Sequence, residues 1–287
     1  KVATPAGMTS TIDTFDSADN ATPEVNTDNN DNGIGEGAGT VTAGTLTMTA
    51  AEGAVNITVT NTTGTTTDLT VDFGFVPLYS LGNRVWFDTN NNSLMDAGEV
   101  GVNGVVVNLY RADGLGNPTG ASLATDTTTV GGFYLFDDLS PRDYVVVITQ
   151  ANFVSGGPLA GYWSSATSLT GAGATTETAA PDADIVATDA DDNGTRDVSG
   201  GAFNGAVLSR AITLGPSGGT EPTGEIAAQL ESGVLGNQGN QPDDRANMTV
   251  DFGFYRVEIG NLVYLDANGN GNYDGAPDSV LPGATVR

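Results

Sequence analysis

Residues 69–75 read LTVDFGF and residues 248–254 read MTVDFGF, and this duplication constrains the fold more than any other feature of the chain. The match runs on in both directions. Forward, residues 84–92 (RVWFDTNNN) correspond to 262–270 (LVYLDANGN), and 102–106 (VNGVV) to 281–285 (LPGAT). Backward, TDNNDNG at 27–33 answers TDADDNG at 188–194, and residues 45–48 answer 211–214. A repeat this long is an array of whole domains, because solenoids repeat over a few tens of residues. The reading is one complete module at 77–255, preceded by the back part of another at 1–76 and followed by the opening of a third at 256–287. Both ends read as cuts through larger modules, so export signals and anchors are expected outside this segment.

Within the complete module the apolar runs are short, β-branched and aromatic. They fall at residues 81–87, 105–110, 123–128, 133–136, 144–148, 207–214 and 248–254, and Gly, Asn and Pro separate them. Seven such strands predict an all-β module of the sandwich type. In the repeated segment Val250, Phe252 and Phe254 alternate with Asp251 and Gly253, which predicts one packed and one polar face. Residues 170–187, rich in Ala, Thr and Gly, read as a long loop anchored only by Ile185 and Val186. Residues 225–230 (EIAAQL) are the one helix candidate.

The loop after the first strand carries the chemistry. Counting Asp88 as one, oxygen-bearing residues stand at Asn90 (three), Asn92 (five), Asp96 (nine) and Glu99 (twelve), the ligand spacing of an EF-hand calcium loop. Position six, usually Gly, is Ser93. Three further loops share the pattern. Asp189, Asp191, Asn193 and Asp197 take positions one, three, five and nine with Gly194 at six, and Asp28, Asn30, Asn32 and Glu36 do the same with Gly33. Neither has a carboxylate at twelve. The fourth has Asp266, Asn268, Asn270 and Asp274, with Pro277 at twelve and Asp278 one place later, as though an inserted residue shifts the closing ligand. Asp, Asn and Gly also form ordinary turns, so a plain Asx-turn hairpin is the competing reading of each loop. Recurrence at equivalent repeat positions favours Ca²⁺, and many flexible oxygen ligands favour it over Mg²⁺.

Composition limits the alternatives. The 287 residues contain no Cys and no His, which removes disulfides, thiol nucleophiles, zinc and haem ligation and the commonest general base. With 35 acidic against 9 basic residues, the net charge of −26 repels nucleic acid and anionic membrane, and neither is expected as a partner. Acidic pairs Asp137/Asp138, Asp191/Asp192 and Asp243/Asp244 make poor hydrolytic dyads, since neighbours on a strand point to opposite faces. Tyr162 and Trp163 are read either as an aromatic plug over the sandwich end or as a platform for a glycan. Asn91 and Asn193 lie in sequons inside candidate metal loops and are expected to be unglycosylated.

LGNRVWFDTNNNSLMDAGEVGVNGVVVNLY at 81–110 with GGFYLFDDLSPRDYVVVI at 131–148 resembles the B-type repeats of serine-aspartate-repeat bacterial surface proteins, related to the collagen-adhesin B-type sandwich. The resemblance spans the complete module and both partial ones. It implies tandem immunoglobulin-like or prealbumin-like β-sandwich modules with long calcium-binding loops, in a secreted or surface-attached protein that holds a binding region away from the cell. It implies Asp88, Asn90, Asn92, Asp96 and Glu99 as calcium ligands, with the carbonyl of Leu94 at position seven. Some relatives lock the sandwich with a Lys–Asn isopeptide bond. The sole lysine here is Lys1, so metal is the cross-link left to the complete module. The expected function is non-enzymatic: a stalk, fibre or filament repeat whose partners are neighbouring repeats or subunits, with strand exchange between chains as a variant. The alternative is an adhesive module for a host protein or glycan. The Asp88 loop is expected to fix two strands and the joint to the preceding module at Phe75.

Overall fold

The computed structural model describes residues 2–10, 40–41, 73–169, 175–181, 191–215, 221–224, 238–256 and 262–283. The candidate ligands Asp28, Asn30, Asn32, Glu36 and Asp189, the Ile185/Val186 pair and the helix expected over 225–230 lie outside the described residues. The chain forms two compact units, Lys1–Tyr255 and Arg256–Arg287.

In the first unit the strands run β1 (Val2–Ala3), β2 (Met8–Ser10), β3 (Thr40–Val41), β4 (Phe75–Pro77), β5 (Tyr79–Leu81) and β6 (Val85–Phe87). They continue with β7 (Val106–Ala112), β8 (Pro118–Thr127), β9 (Phe136–Leu139), β10 (Arg142–Ile148), β11 (Trp163–Ser164), β12 (Thr167–Leu169) and β13 (Thr175–Glu177). The set closes with β14 (Thr195–Arg196), β15 (Val207–Leu208), β16 (Ile212–Leu214), β17 (Ala246–Asn247) and β18 (Phe252–Tyr255). Helical structure among the described residues is confined to short 3₁₀ turns at Gln150–Phe153 and Asp243–Arg245.

These strands build two layers. One is antiparallel, in the order β14-β15-β10-β7-β8, with β16 also on β10. β15 and β16 are the single strand expected at 207–214, interrupted where Ser209 uses its hydroxyl as well as its backbone. Its Oγ accepts the Val146 N–H while its own N–H donates to the Val146 carbonyl, both at 3.0 Å. The other layer joins β11, β18 and β6 to β17, β5 and β9. Here β5 and β6 form one line broken at Gly82 and Asn83, and β17 and β18 run parallel to it, with Ala246 beside Ser80 and Phe254 beside Phe87. Backbone bonds Asn83 N–H to Val250 O and Phe252 N–H to Arg84 O, at 2.8 and 2.9 Å, carry the pairing across the break.

Between the layers lies one core, in which Leu81 and Val85 meet Val107, Leu109, Val146, Ile148, Phe252 and Phe254. The fold is an all-β sandwich, as the strand pattern predicts. The expectation of a polar face on the repeated segment fails. Asp251 and Gly253 are buried along with Val250, Phe252 and Phe254: Asp251 exchanges hydrogen bonds with Asn193, the Gly253 N–H donates to Asp192, and the Trp86 indole lies against Gly253. Asp251 is accommodated by accepting the Arg84 N–H at 2.7 Å. Gly253 lies against Trp86: a Cβ there would stand 2.8 Å from the indole.

The β2–β4 pair copies β11–β18. Ser10 faces Phe75 as Ser164 faces Phe254, and Gly7 and Gly161 precede them with φ of 69° and 81°. In both, the next residue closes a turn three residues back, Met8 N–H to Pro5 O and Tyr162 N–H to Leu159 O. The match of AGMTS to AGYWS, too short to weigh in the sequence, extends the repeat toward the start of the chain.

The second unit contains β19 (Tyr264–Leu265) paired antiparallel with β20 (Ser279–Val280), and the loop from Asp266 to Asp278 between them.

Candidate metal centre

β6 ends at Phe87, and the chain returns at Gly101, which bridges to Trp86, while the Phe87 N–H donates to the Val100 carbonyl at 3.0 Å. The segment between is held by its own acidic and amide side chains. The carboxylate of Asp88, fully buried, accepts the N–H groups of Asn92 at 3.2 Å and Ser93 at 2.9 Å, and the Ser165 hydroxyl at 2.7 Å. Asn90 accepts the Asn92 N–H and Asn92 accepts the Leu94 N–H, so positions three and five each fix the backbone two residues on. Glu99 closes the loop: one oxygen takes the Thr89 N–H at 2.6 Å and the other the Asp96 N–H at 3.0 Å. The amides of Asn90 and Asn92 both reach one oxygen of Asp96, at 2.7 and 2.9 Å, which draws positions three, five and nine together.

The missing Gly at position six is answered by conformation. Asn91 and Ser93 take φ of 58° and 64°, in the left-handed region. At the same two places in the second unit stand Gly269 and Gly271, with φ of 70° and 82°. That loop repeats the hydrogen-bond plan in full. Asp266 accepts the N–H groups of Gly269, Asn270 and Gly271, Asn268 accepts that of Asn270, and the Asn268 and Asn270 amides meet at Asp274. Asp278, one residue later and one methylene shorter than the Glu it replaces, takes the Ala267 N–H at 2.9 Å and the Asp274 N–H at 3.0 Å. These N–H groups, that of Gly271 foremost, hold the Asp266 carboxyl below the usual carboxylate range.

The Asp189 loop does not take this shape where it is described. Gly194, read as the position-six turn, has no positive φ; it is packed where a Cβ would stand 2.7 Å from both Phe252 and Val207. Asn193 is buried and its side-chain oxygen accepts the Asp251 N–H, while Asp197 accepts the Ser199 N–H in a separate turn. Asp191 instead joins the Asp88 loop. It bridges to Leu94, and the next residue, Asp192, donates its N–H to the Ser93 carbonyl at 3.0 Å. One carboxylate oxygen of Asp191 is buried without a hydrogen-bond partner, and burial pushes its carboxyl up. Burial raises Asp192 much further, although the Gly194 and Gly253 N–H groups hold its carboxylate.

The Asp88 loop therefore docks on the closing segments of its own module. Besides Ser165 and Asp192, the Asp88 N–H bonds Phe254 O and the Asn91 amide bonds Thr167 O. The expected link to the preceding module at Phe75 is wrong, because β5 and β6 lie in one line leading away from Tyr79 and put Asp88 at its far end, where its N–H donates to Phe254 O. Among the described residues no group of three or more carboxylates is gathered closely enough to hold a metal alone, so any ion here depends on mixed carboxylate, amide and backbone oxygens.

The other candidates resolve into structural roles. Tyr162 stacks on Phe87 at 4.5 Å and packs against the core, the plug reading. Trp163 borders a surface groove with Thr167, Glu177 and Arg196. Sequence reasoning missed the last three, because neither the β12–β13 hairpin nor the two-residue β14 has an apolar run to mark it. Asp137 and Asp138 do not point to opposite faces: Asp138 has φ of 55°, and both reach the Gln241 amide, pinning that loop.

Residues 79–179 match the family model described as SdrD B-like domain. A fibrinogen-binding protein of Staphylococcus epidermidis is 41% identical over 81 residues, 28% of this chain and 7% of the relative. Serine-aspartate repeat-containing protein D of Staphylococcus aureus (strain Newman) is 26% identical over 264 residues, covering 74% of this chain and 20% of the relative. Colossin-B of Dictyostelium discoideum is 35% identical over 86 residues, 27% of this chain and 2% of the relative. The chain thus spans a fifth or less of the length of these curated relatives.

Proposed function

With residues 79–179 an SdrD B-like domain, we propose that this chain is a non-enzymatic structural repeat of an extracellular, surface-attached stalk, fibre or filament, stiffened by bound calcium. The observation that carries the reading is the hydrogen-bond plan shared by the Asp88 and Asp266 loops. Asp88, Asn90, Asn92, the Leu94 carbonyl, Asp96 and Glu99 supply oxygens at calcium-loop spacing, and Asp191, whose backbone bridges to Leu94, keeps one carboxylate oxygen without a partner. An ion held there ties the loop that follows β6 to the segment that leads into β14, and offsets the repulsion among buried acids. In the second unit Asp266, Asn268, Asn270, Asp274 and Asp278 do the same work locally.

Repeats in series with each other, or with subunits of an assembly, are the partners this reading requires. Similarity to surface repeat proteins supports an extracellular place. No helix among the described residues is long and apolar enough to cross a membrane.

The test is calorimetric titration of Ca²⁺ into chelator-treated protein. Saturable heat that is weakened by Glu99→Gln and by Asp278→Asn, each at one site only, is the expected result. Absence of both heat and any change in melting temperature ends the proposal.

A further inference from the structure

In the complete module β18 lies between β11 and β6. Phe73, Gly74 and Phe75, which lead into β4, repeat its Phe252, Gly253 and Phe254, and β2 takes the place of β11 beside them. Among the described residues β4 pairs with β2 alone, so the place of β6 is open. β19 is the sequence counterpart of β6. Its Val263, Tyr264 and Leu265 correspond to Val85, Trp86 and Phe87, each run leads into the Asp of an acidic loop, and among the described residues β19 pairs with β20 alone. Burial follows the same contrast. Val85 and Val102 are 0% and 4% exposed, whereas Val263 and Leu281, at the corresponding places, are 39% and 44% exposed, and Leu265 is 52%. Residues 73–75 are half-buried where 252–254 are fully buried.

We infer that β19 of one chain pairs in parallel with residues 73–75 of a second copy, joining copies head to tail; this rests on the reading of the chain as a filament repeat. The β6–β18 register fixes the contact, with Val263 opposite Phe73, Tyr264 opposite Gly74 and Leu265 opposite Phe75. Two bonds carry over: Phe73 N–H to Leu262 O, after Phe252 to Arg84, and Asp266 N–H to Phe75 O, after Asp88 to Phe254, both 2.9 Å in the sandwich. Gly74 suits this place, because a Cβ on Gly253 would stand 2.8 Å from the Trp86 indole and Tyr264 brings its ring to the equivalent position. A slip of one residue would set Tyr264 against a Phe and turn Val263 and Leu265 to the wrong face. An unrelated peptide is disfavoured, since β19 matches the vacant strand residue by residue. Each copy donates with one surface and accepts with another, so the contact is heterologous and propagates as a filament or closes as a ring.

In constant calcium and about 0.15 M salt, where repulsion between the acidic chains is screened beyond about 8 Å, the full chain is taken to roughly 1 mM, enough to populate a contact of millimolar Kd. Sedimentation is expected to show a mass that rises with concentration past the dimer. Val263→Asp with Leu265→Asp, at exposed positions, removes the donor strand, and Gly74→Val blocks the acceptor. Each variant alone should stay monomeric with the circular dichroism of the parent, and the mixture should form a dimer and nothing larger, because only one donor and one acceptor remain. A parent that stays monomeric overturns the inference, whether β19 is unpaired or folds back on its own chain. Association kept by both variants overturns it too, since the contact then lies elsewhere. Should Gly74→Val fail to fold, the donor variant decides: association at the parent's level overturns the inference. Saturable calcium heat from a chain that never associates refutes this inference alone, and association without calcium heat refutes the calcium reading alone.

Discussion

Ser93 spends its left-handed conformation where a calcium loop usually has Gly, and the second unit uses Gly271 at that place. A left-handed L-residue costs about 1–2 kcal/mol, and Gly returns part of that as unfolded-chain entropy. The Ser93 bonds that build the loop run through its backbone. Ser93→Gly is therefore expected to raise stability by up to about 1 kcal/mol in urea unfolding, and a loss of that size would show that the hydroxyl has a role of its own. Glu177 gives a second test at this scale. Its folded pKa lies above the unfolded value because burial penalises the charge. Ionised Glu177 thus costs stability at neutral pH, and the cost disappears as pH falls through the folded pKa. Glu177→Gln, which keeps an acceptor for the Arg196 N–H, should melt higher than the parent near pH 7. The gap should close as the pH nears the ordinary Glu value, about 4.3; a gap constant with pH would contradict the assignment.

Among the elements, β18 is the most demanding. Its central position leaves no room beside Trp86, where a Cβ on Gly253 would also meet the Ser165 hydroxyl at 2.5 Å. Gly253→Ala is expected to cost about 1–3 kcal/mol through overpacking. Because Ser165 also holds Asp88, calcium affinity should fall with it; unchanged calorimetry would uncouple the two. The same strand shows what sequence could and could not reveal. Alternating Val250, Phe252 and Phe254 announced a strand and one packed face, yet burial of Asp251 depends on the Arg84 N–H of a strand far away in the chain. β10 was legible from its Val-rich run. The β12–β13 hairpin was not, since Thr, Ser and Glu carry no period that marks a face. The Asp88 loop could be read because its ligands are close in sequence and bond their own backbone. Asp191 joins that loop only through folding, and the groove gathers Trp163, Thr167, Glu177 and Arg196 from two separate strands and a hairpin.

At the scale of the whole chain, 35 acidic residues make the folded state self-repelling. A cation bound only by the native loops stabilises by mass action, about 2.7 kcal/mol per site at a hundred times Kd. Each unit should respond separately: Asp278→Ala should abolish the gain in the second unit and leave that of the sandwich intact. Scanning calorimetry with and without chelator measures both, and a single transition unaffected by chelator would count against calcium in either unit.

The parallel pairing of β6 with β18 places the opening and closing strands of the sandwich side by side. Bonds from Gly82 N–H to Asn247 O, through Asn83 and Phe252, to Asp88 N–H and Phe254 O join them along their whole length. Tension entering at Tyr79 and leaving at Tyr255 pulls two such strands in opposite directions along their axes. The bonds are then sheared as a set, where an antiparallel hairpin pulled from its open end would unzip them one after another. With Asp88 anchored at the last rung, the loop sits at the end of the ladder toward which that load is drawn.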